Sequence, residues 1–570
     1  MIVTPETWNY AAIKLAEADT ISFDTETTGL LESDRPFSVA MATKHTEFYF
    51  DNRVIPDRAI EDLMPVISGI AVRLQNAKFD MRMALNQGWC DTTSWGSIQD
   101  TEVLGRLVRN DHLAYGLAHQ AKRYGYEKLG DAKDWLKKNK LKENEYNKIP
   151  MDIISTYAMR DARVTYDLID KMEADLDPMS KPVWDMEQRL TPVCFKMERR
   201  GLLINRVYTE EARDEEKRLI LEAKSQFHLA TGQVHDNSKS QLIDVFTKAG
   251  EIIPKTKKGN DSLTDDILES FTSPIAKLVQ KIRYHEKRLS TYYLAFLEYA
   301  GPDDVVHADI RQAGTRTGRF SYRDPNLQNL PKDEHSEDRY VVRGCFVPRP
   351  GYVFVAIDYS QQEYRLMLAY SKHRRMIEAV MNGTDVHQAT ADLVGITRSY
   401  AKTLNFAILY GAGADKIAGM LGISVAAAKA LKDKYFNKLL EVEKLIDDVI
   451  RTGKGRGYVY NWFGRKLFIN HPDFAYALPN HIMQGGGADI CKLGMLACDS
   501  ILSGFDAHMV LQVHDALYFE MKESDMKDLI PKLCKAMIDV FPGKNGMMMA
   551  VDVKWSRTSL AERDLQSWQS

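Results

Sequence analysis

The stretch of sequence that decides the fold class is Tyr352-Val353-Phe354-Val355-Ala356-Ile357-Asp358, an apolar run that ends in an acidic residue. Such a run predicts a buried strand that carries its last residue to the end of a sheet. A second apolar run, residues 509–513, ends in the same way at His514 and Asp515, and the strand-like stretch 516–520 after it predicts a hairpin. Two acids on strands that can meet in one sheet form the ligand set of a two-metal phosphoryl-transfer site.

Length and composition set the scale of the molecule. The chain has 570 residues, which predicts roughly three to four structural units and excludes a short binding module. The 76 basic and 79 acidic side chains give a net charge of −3, so any surface that binds a polyanion must be a local patch. With 44% hydrophobic and 27% charged residues, the composition is that of a folded globular protein.

The sequence also bears on where the protein works. No apolar run is long enough to span a bilayer, and residues 1–10 lack the pattern of a secretory signal, so we expect no membrane segment. The cysteines are scattered without a C-x-x-C pair, which argues against structural zinc and a disulfide framework and favours a reducing cytoplasm. They are Cys90, Cys194, Cys345, Cys491, Cys498 and Cys534.

The order of predicted elements divides the chain. Strands at 20–23 and 47–50 indicate an α/β opening, and the pattern becomes strongly helical from Ile149. Pro182 and Pro192 precede a charged helical stretch, which places a boundary near residue 185. Ser273 as N-cap and Pro274 at the first helical position predict a long helix that ends near residue 298.

A first group of candidate catalytic residues lies in the N-terminal region. Asp24 and Glu26 close a predicted strand and project from the same face, whereas Tyr157 and Asp161 are four residues apart on one face of a predicted helix. With Asp80 in Asn76-Ala77-Lys78-Phe79-Asp80, they resemble the three motifs of proofreading 3′-to-5′ exonucleases. The resemblance implies four acidic ligands for two divalent cations, a tyrosine that orients the attacking water, and assistance by Glu26 in deprotonating it.

A predicted helix carries a stripe of cations and aromatics. Thr397 caps it, Gly411 ends it, and residues four apart share one face. The cations lie toward the N-terminus, where backbone N–H groups also favour anions, and the aromatics lie toward the other end. A nucleoside triphosphate has the same polarity. The stripe consists of Arg398, Lys402, Phe406 and Tyr410.

Over nearly the whole chain the motifs are similar to those of family A DNA polymerases, the polymerase I type. The runs that end at Asp358 and Asp515 resemble the family's A and C motifs. This resemblance implies that both aspartates bind Mg²⁺ with the backbone carbonyl of Tyr359, and that residues 398–411 form the fingers helix that binds the incoming nucleotide. It also implies that Glu363 blocks a ribose 2′ hydroxyl and that Phe406 disfavours nucleotides without a 3′ hydroxyl. Gln361 and His387 join the nucleotide-binding set.

Further segments resemble the family's contacts to primer-template DNA. Thr317-Gly318-Arg319-Phe320-Ser321 and the following stretch 324–331 resemble the loop against the duplex, and the arginines between 311 and 323 supply the expected basic patch. The DNA-binding residues implied by the resemblance are Arg319, Asn326, Gln328, Asn329, Asn480, Gln484 and His514.

The resemblance predicts an α/β and α+β multidomain fold: a ribonuclease H-like exonuclease domain followed by a right-hand polymerase of palm, fingers and thumb. We assign residues 1–185 to the exonuclease, 186–300 to the thumb, 301–375 and 480–570 to the palm, and 376–479 to the fingers. No 5′ nuclease domain is expected, and the phage-encoded members are the most similar in domain content.

The implied cofactors are two Mg²⁺ per active site, with Mn²⁺ as a substitute. The implied partners are primer-template DNA, dNTPs and a replicative helicase or single-strand binding protein, with the protein monomeric and in the host cytoplasm.

Some positions depart from the family pattern. Ala516 follows His514-Asp515 where glutamate is usual, Ala407 replaces a usual glycine, and the interval between His387 and Arg398 is short. Loss of the third acid leaves open a dedicated 3′ exonuclease whose C-terminal region only grips nucleic acid. A non-catalytic replication scaffold is opposed by intact acids at both sites, and a single-subunit RNA polymerase is opposed by Glu363 and the exonuclease acids.

Overall fold

The chain is described from a computed structural model. The structure describes residues 1–568 except 30–32, 90–94, 128–129, 257, 333–337 and 542, and of Glu143 and Lys544 it describes only the backbone. Cys90 lies outside the described residues, and the cysteines within them are free thiols. In the described part of the chain, every helix is too short or too polar to cross a lipid bilayer.

The N-terminal unit is built on a five-stranded mixed sheet with the order β3-β2-β1-β4-β5. β1 pairs antiparallel with β2 and parallel with β4, so it lies at the centre. The elements are α1 (Trp8–Ala16), β1 (Thr20–Thr27), β2 (Pro36–Ala42), β3 (Glu47–Asp51), α2 (Asp57–Glu61), β4 (Ala71–Leu74), α3 (Ala77–Gln87), β5 (Ile98–Asp100), α4 (Thr101–Val108), α5 (Leu117–Arg123), α6 (Asp131–Lys138) and α7 (Met151–Asp175).

Helices dominate the next part of the chain. They are α8 (Lys181–Arg200), α9 (Arg206–Thr231), α10 (Lys239–Lys248), α11 (Asp265–Glu269), α12 (Pro274–Lys287) and α13 (Ala295–Tyr299). The boundary near residue 185 falls inside α8, because Pro182 occupies its first turn and Pro192 is accommodated within it. Ser273 caps α12 as predicted, and a π-helical stretch, Arg288–Leu294, joins α12 to α13.

Short strands connect this part to a second large sheet. They are β6 (Leu202–Leu203), β7 (Val305–Val306), β8 (Asp309–Arg311) and β9 (Ser321–Arg323). The large sheet has the order β13-β14-β10-β15-β16, with β10 (Tyr352–Tyr359) at its centre. The predicted hairpin is confirmed as β13 (Ala507–Val513) and β14 (Ala516–Lys522). On the other side of β10 lie β15 (Val551–Ser556) and then the edge strand β16 (Gln566–Ser567).

The remaining elements lie between β10 and the end of the chain. They are α14 (Gln362–Ser371), α15 (Arg374–Met381), α16 (Val386–Val394), α17 (Arg398–Leu409), α18 (Ala414–Leu421), α19 (Val425–Lys438), α20 (Leu440–Arg456), β11 (Tyr458–Tyr460), β12 (Lys466–Phe468), α21 (Leu478–Leu502) and α22 (Met526–Asp539). The largest core cluster includes Phe354, Ile357, Leu511, Phe519 and Met495, so β10, the hairpin and α21 share one apolar interior.

Candidate active sites

The two strand-borne aspartates meet at the end of the large sheet. Asp358 is the cross-strand neighbour of Ala516, and the backbone N–H of Tyr359 donates to the carbonyl of Asp515 at 3.2 Å. Burial is the largest cause that raises the pKa of Asp358, to about 7, followed by the charge of Asp515 and a hydrogen bond between the two carboxyl groups. Burial also raises the pKa of Asp515. Lys332 and Arg319 supply some positive charge nearby, but they do not outweigh burial, and two crowded carboxyls form a site that favours cations.

The oxygen donors at this site fit a hard divalent cation. Among the described residues, no three carboxylate, imidazole or thiol groups converge as a ready-made metal site. Asp358 and Asp515 therefore offer two carboxylates, and a cation there would complete its shell with water or substrate oxygens. Mg²⁺ is commonly held in this way, by one or two carboxylates and substrate phosphates.

Two glutamines hold the hairpin turn that carries Asp515. Gln328 Nε2 donates to the backbone carbonyl of Gln512 at 2.9 Å and to Gln512 Oε1 at 2.7 Å. Gln328 Oε1 accepts from the backbone N–H of His514 at 3.1 Å. His514 has a φ of 55°, the left-handed conformation that this turn requires. Gln328 was predicted to contact DNA, but its buried amide supports the turn in this structure. Sequence reasoning missed Gln512, because its partner is distant in sequence.

The stripe on α17 faces solvent. Thr397 Oγ1 caps the helix by accepting from the backbone N–H of Tyr400 at 3.3 Å. The stripe residues are exposed, Phe406 by 40% and Tyr410 by 46%, whereas Leu404 and Ile408 on the opposite face are buried. The rings of Phe406 and Tyr410 are nearly parallel, with centroids 6.5 Å apart. The stripe is therefore accessible to solvent and not part of the core.

Asp385 joins two of the predicted nucleotide-binding residues. Its Oδ1 accepts from Arg398 Nε at 2.9 Å and its Oδ2 accepts from Gln361 Nε2 at 2.8 Å, while it also caps α16. Burial disfavours the charged carboxylate, but the hydrogen bonds from Arg398, Gln388 and Gln361 outweigh burial and lower the pKa of Asp385 to about 2. No pattern in the sequence singled out Asp385.

Polar contacts link the end of the stripe to α14 and the 314–321 loop, and this group is close enough to Asp515 for their charges to interact. Arg319 Nη2 donates to Glu363 Oε1, and Glu363 also bonds to the hydroxyl of Tyr410. Burial raises the pKa of Tyr410, and the charges of Glu363 and Asp515 raise it further. Residues from the 314–321 loop, α14, α17 and the hairpin thus form one site.

His387 lies against the aromatic end of the stripe. Its ring centroid is 5.6 Å from that of Phe406, and its Nδ1 is 3.0 Å from Asn405 Nδ2. Burial lowers the pKa of His387, and the charges of Arg398 and Lys402 act in the same direction. A neutral ring whose Nδ1 accepts from Asn405 carries its proton on Nε2, which can then donate to a ligand.

The other residues predicted to bind DNA lie on the segment after β9 and on α21. Asn326 caps a short helical turn by accepting from the backbone N–H of Gln328 at 3.1 Å. The backbone carbonyl of Asn329 accepts from Tyr292, and Asn480 and Gln484 are half-buried on successive turns of α21. Their contacts to DNA remain predictions.

The N-terminal acids lie on β1, α3 and α7, and among the described residues no three of them converge as a ready-made metal site. Glu26, Asp80 and Asp161 are buried and Asp24 is half-buried. Tyr157 is near Asp161, Glu26 and Asp24, since after burial their charges are among the causes that raise its pKa. The phenol therefore keeps its proton and can donate to a water molecule.

Asp80 is held directly against β1. Its Oδ1 accepts from the backbone N–H of Thr25 at 2.9 Å and from Thr25 Oγ1 at 2.6 Å. Burial raises the pKa of Asp80 to about 7, although both bonds from Thr25 lower it. Asp100, which sequence reasoning missed, accepts from the backbone N–H groups of Asn76 and Ala77 at 3.1 and 2.8 Å and so fixes the start of α3.

Comparison with known proteins finds a family for each of the two parts of the chain. Residues 206–559 match the family model described as DNA polymerase family A, and residues 1–177 match that described as 3′-5′ exonuclease. DNA polymerase I of Pseudomonas aeruginosa is 28% identical over 93% of this chain and 62% of that protein. A DNA polymerase of Mycobacterium phage L5 is 27% identical over 90% of this chain and 88% of that protein.

A solved structure shares the fold. It is described as the POL domain of Pol1 from M. smegmatis in complex with DNA primer-template and dNTP, with a TM-score of 0.84, 23% identity and 98% coverage of both chains. The chain spans less than two thirds of the length of the bacterial relatives it matches. The predicted exonuclease and polymerase architecture is confirmed, and the chain belongs to DNA polymerase family A.

Proposed function

We propose that the protein is a template-directed DNA polymerase with 3′-to-5′ proofreading that replicates phage DNA. The observation that carries the proposal is the continuous site from the α17 stripe through Tyr410 and Glu363 to Asp358 and Asp515. It offers a place for a triphosphate, a sugar and a base beside a pair of carboxylates. The match to a phage polymerase over most of both chains supports the phage assignment.

Each residue of the proposed synthesis site has a specific role. Arg398 and Lys402 bind the triphosphate, and Arg398 exchanges its bond with Asp385 for one with phosphate. Phe406 and Tyr410 stack on the incoming base and sugar. Two Mg²⁺ ions at Asp358, Asp515 and the carbonyl of Tyr359 would supply Lewis-acid stabilisation of the phosphoryl transfer, with Mn²⁺ as a substitute.

The proofreading site removes the last nucleotide of a primer. Tyr157, kept protonated by its surroundings, orients the attacking water, and Glu26 accepts a proton from it. Asp24, Glu26, Asp80 and Asp161 offer hard oxygen ligands that fit divalent cations, which would lower the pKa of the attacking water. The proposed ligands therefore come from β1, α3 and α7.

The proposed domain assignment keeps the bounds expected from the sequence. We assign the exonuclease to residues 1–185, the thumb to 186–300, the fingers to 376–479 and the palm to 301–375 and 480–570. The palm faces primer-template DNA with Arg319, Asn326, Asn329, Asn480, Gln484 and His514. A monomeric state, a helicase or single-strand binding partner and action in the host cytoplasm stay predictions.

Primer extension tests the proposal. The chain is incubated with a labelled primer-template and Mg²⁺, with dNTPs, with rNTPs or with neither, and EDTA provides the control. We expect extension with dNTPs, little with rNTPs, and shortening of the primer without nucleotides. Shortening in every mixture would instead select the dedicated exonuclease that Ala516, at the usual glutamate position, leaves open.

A further inference from the structure

The synthesis site lacks a carboxylate on one side of Asp358. Ala516 of β14 lies directly across from Asp358 and is buried. Its methyl group offers no oxygen to a cation or to the water molecules around one. A site with two primary carboxylates therefore has apolar surface where a third acid is usual in the family.

The other neighbour of Asp358 is an acid. β15 pairs antiparallel with β10 in a register that places Asp552 directly across from Asp358. Directly opposed residues of antiparallel strands project from the same face, with Cβ atoms about 4.5–5.5 Å apart. Both residues are exposed, so Asp552 stands beside Asp358 on the solvent side, opposite to Ala516.

A hydrogen bond orients the Asp552 carboxylate. Ser360 Oγ donates to Asp552 Oδ2 at 2.6 Å, and the backbone N–H of Ser360 donates to the carbonyl of Ala550 at 2.8 Å. These bonds fix Oδ2 of Asp552 beside Asp358. The carboxylate can still accept further hydrogen bonds.

The nearby cations donate their hydrogen bonds to other groups, although Asp552 also attracts the charge of Arg365. Lys554, two residues along the strand, pairs with Glu562 at 3.0 Å, and Arg365 donates to the carbonyls of Ser360 and Met548 at 3.0 and 3.1 Å. Within the described residues, Asp552 forms no salt bridge. Its negative charge is therefore available to a cation bound at Asp358.

From this geometry we infer that Asp552 is a positioning residue of the synthesis site and replaces, from β15, the carboxylate that Ala516 does not supply from β14. The inference rests on the proposed function of Asp358 and Asp515. Asp552 accepts a hydrogen bond from a water molecule in the shell of the cation at Asp358, which strengthens cation binding without a direct bond to the metal.

The test measures cation binding apart from activity. The background is the full chain with Asp24→Ala and Glu26→Ala, so that Mn²⁺ counted by electron paramagnetic resonance with primer-template DNA belongs to the synthesis site. We expect Asp552→Asn to weaken Mn²⁺ binding about three- to tenfold and to raise the Mg²⁺ concentration for half-maximal extension similarly. The control Asp528→Asn removes an exposed acid from the first turn of α22 and should change neither value.

Two further variants complete the test. Ser360→Ala frees the Asp552 carboxylate from its orienting bond and should weaken Mn²⁺ binding in the same direction by a smaller factor. Ala516→Glu in the Asp552→Asn background returns a carboxylate to the opposite side of Asp358 and should restore part of the lost affinity. If Asp552→Asn binds Mn²⁺ as tightly as the background protein, the inference is overturned.

A separate variant distinguishes failure of this inference from failure of the proposed site. Asp358→Asn in the same background should remove most of the Mn²⁺ bound near the primer end. If Asp358→Asn left Mn²⁺ binding unchanged, the synthesis site itself would be misplaced. If Asp358→Asn removed the bound Mn²⁺ but Asp552→Asn did not weaken Mn²⁺ binding, only the role of Asp552 would be wrong.

Discussion

At the residue scale, Glu363 interacts with three other residues of the proposed synthesis site. It pairs with Arg319 of the duplex-facing loop, bonds to Tyr410 at the end of the α17 stripe, and contributes to the field at Asp515. Burial raises its pKa, while Arg319 and Tyr410 lower it. A carboxylate held in this way is fixed in position, as the proposed contact with the sugar of an incoming nucleotide requires.

Replacement of Glu363 should therefore relax sugar selection. With Glu363→Ala, we expect the preference for dNTPs over rNTPs to fall at least tenfold, because the carboxylate no longer excludes a 2′ hydroxyl. The ratio of kcat/KM for the two nucleotides measures the effect. Glu378→Ala, an exposed acid on α15, serves as the control, and an unchanged ratio for Glu363→Ala would remove Glu363 from the sugar site.

Gln328 should act through the turn that carries Asp515. Gln328→Leu removes the donor to the buried Oε1 of Gln512, which costs about 1–3 kcal/mol, and it releases the backbone N–H of His514. Gln512 Nε2 keeps its bond to the carbonyl of His514 at 2.5 Å. We expect kcat for extension to fall about tenfold or more while the KM for dNTP changes less. Steady-state kinetics checks this, and a rise in KM at constant kcat would contradict a positioning role.

The acids that end apolar runs could be predicted from the sequence, because hydrophobic runs have a strong local signal. Asp385, Gln512 and Asp552 could not, because their roles depend on partners brought together by folding. Asp552 in particular becomes significant only through the strand register that places it across from Asp358.

At the element scale, α17 was predictable because its signals are local. Thr397 caps it, Gly411 follows it with a φ of 67°, and the spacing of four puts one stripe on the exposed face. The same kind of reasoning misjudged α8. Pro192 was expected to mark the passage between domains, but it lies inside the helix, which packs against β8 and α21. Tertiary packing there overrides the local effect of proline.

Lys402 tests whether the stripe binds phosphate. Lys402→Ala should raise the KM for dNTP about tenfold with a smaller change in kcat, because an exposed ammonium that contacts the ground-state triphosphate contributes mainly to binding. Lys429→Ala on α19, also exposed, controls for loss of one positive charge. Kinetics indistinguishable from those of the unmodified chain would exclude Lys402 from the phosphate site.

At the scale of the whole molecule, polar contacts join the N-terminal unit to the rest of the chain. Lys78, two residues before Asp80 on α3, pairs with Glu198 of α8 and with Asp309 of β8 at 3.3 Å. Asn110 Nδ2 donates to the carbonyl of Arg316 at 2.6 Å, and its Oδ1 accepts from the backbone N–H of Phe468 at 3.0 Å. The exonuclease unit is thus attached beside the loop that carries Arg319.

Asp309 should stabilise this junction in a pH-dependent way. Burial opposes its charge, but Lys78, Arg323 and Arg311 outweigh burial and lower its pKa from 3.8 to about 2. A depressed pKa contributes stability above pH 3.8, and that stability is lost as the pH falls toward 2. We expect Asp309→Asn to lower the free energy of unfolding by about 2 kcal/mol between pH 5 and pH 8. Below about pH 4 the loss should become smaller.

Thermal unfolding measures this effect. The midpoint for Asp309→Asn should be a few degrees lower than that of the unmodified chain, by the same amount at pH 5 and pH 8. Asp473→Asn, whose side chain is 87% exposed, should leave the midpoint unchanged. A deficit that appeared only at one end of this pH range would show that Asp309 is not held as a carboxylate by the junction.

The central claim is that synthesis and removal of nucleotides take place at two separate pairs of strand-borne acids. The most direct measurement follows primer extension and primer shortening in parallel for Asp358→Asn and Asp24→Ala. We expect Asp358→Asn to abolish extension and retain shortening, and Asp24→Ala to do the reverse. Loss of both activities from either single change would contradict the account.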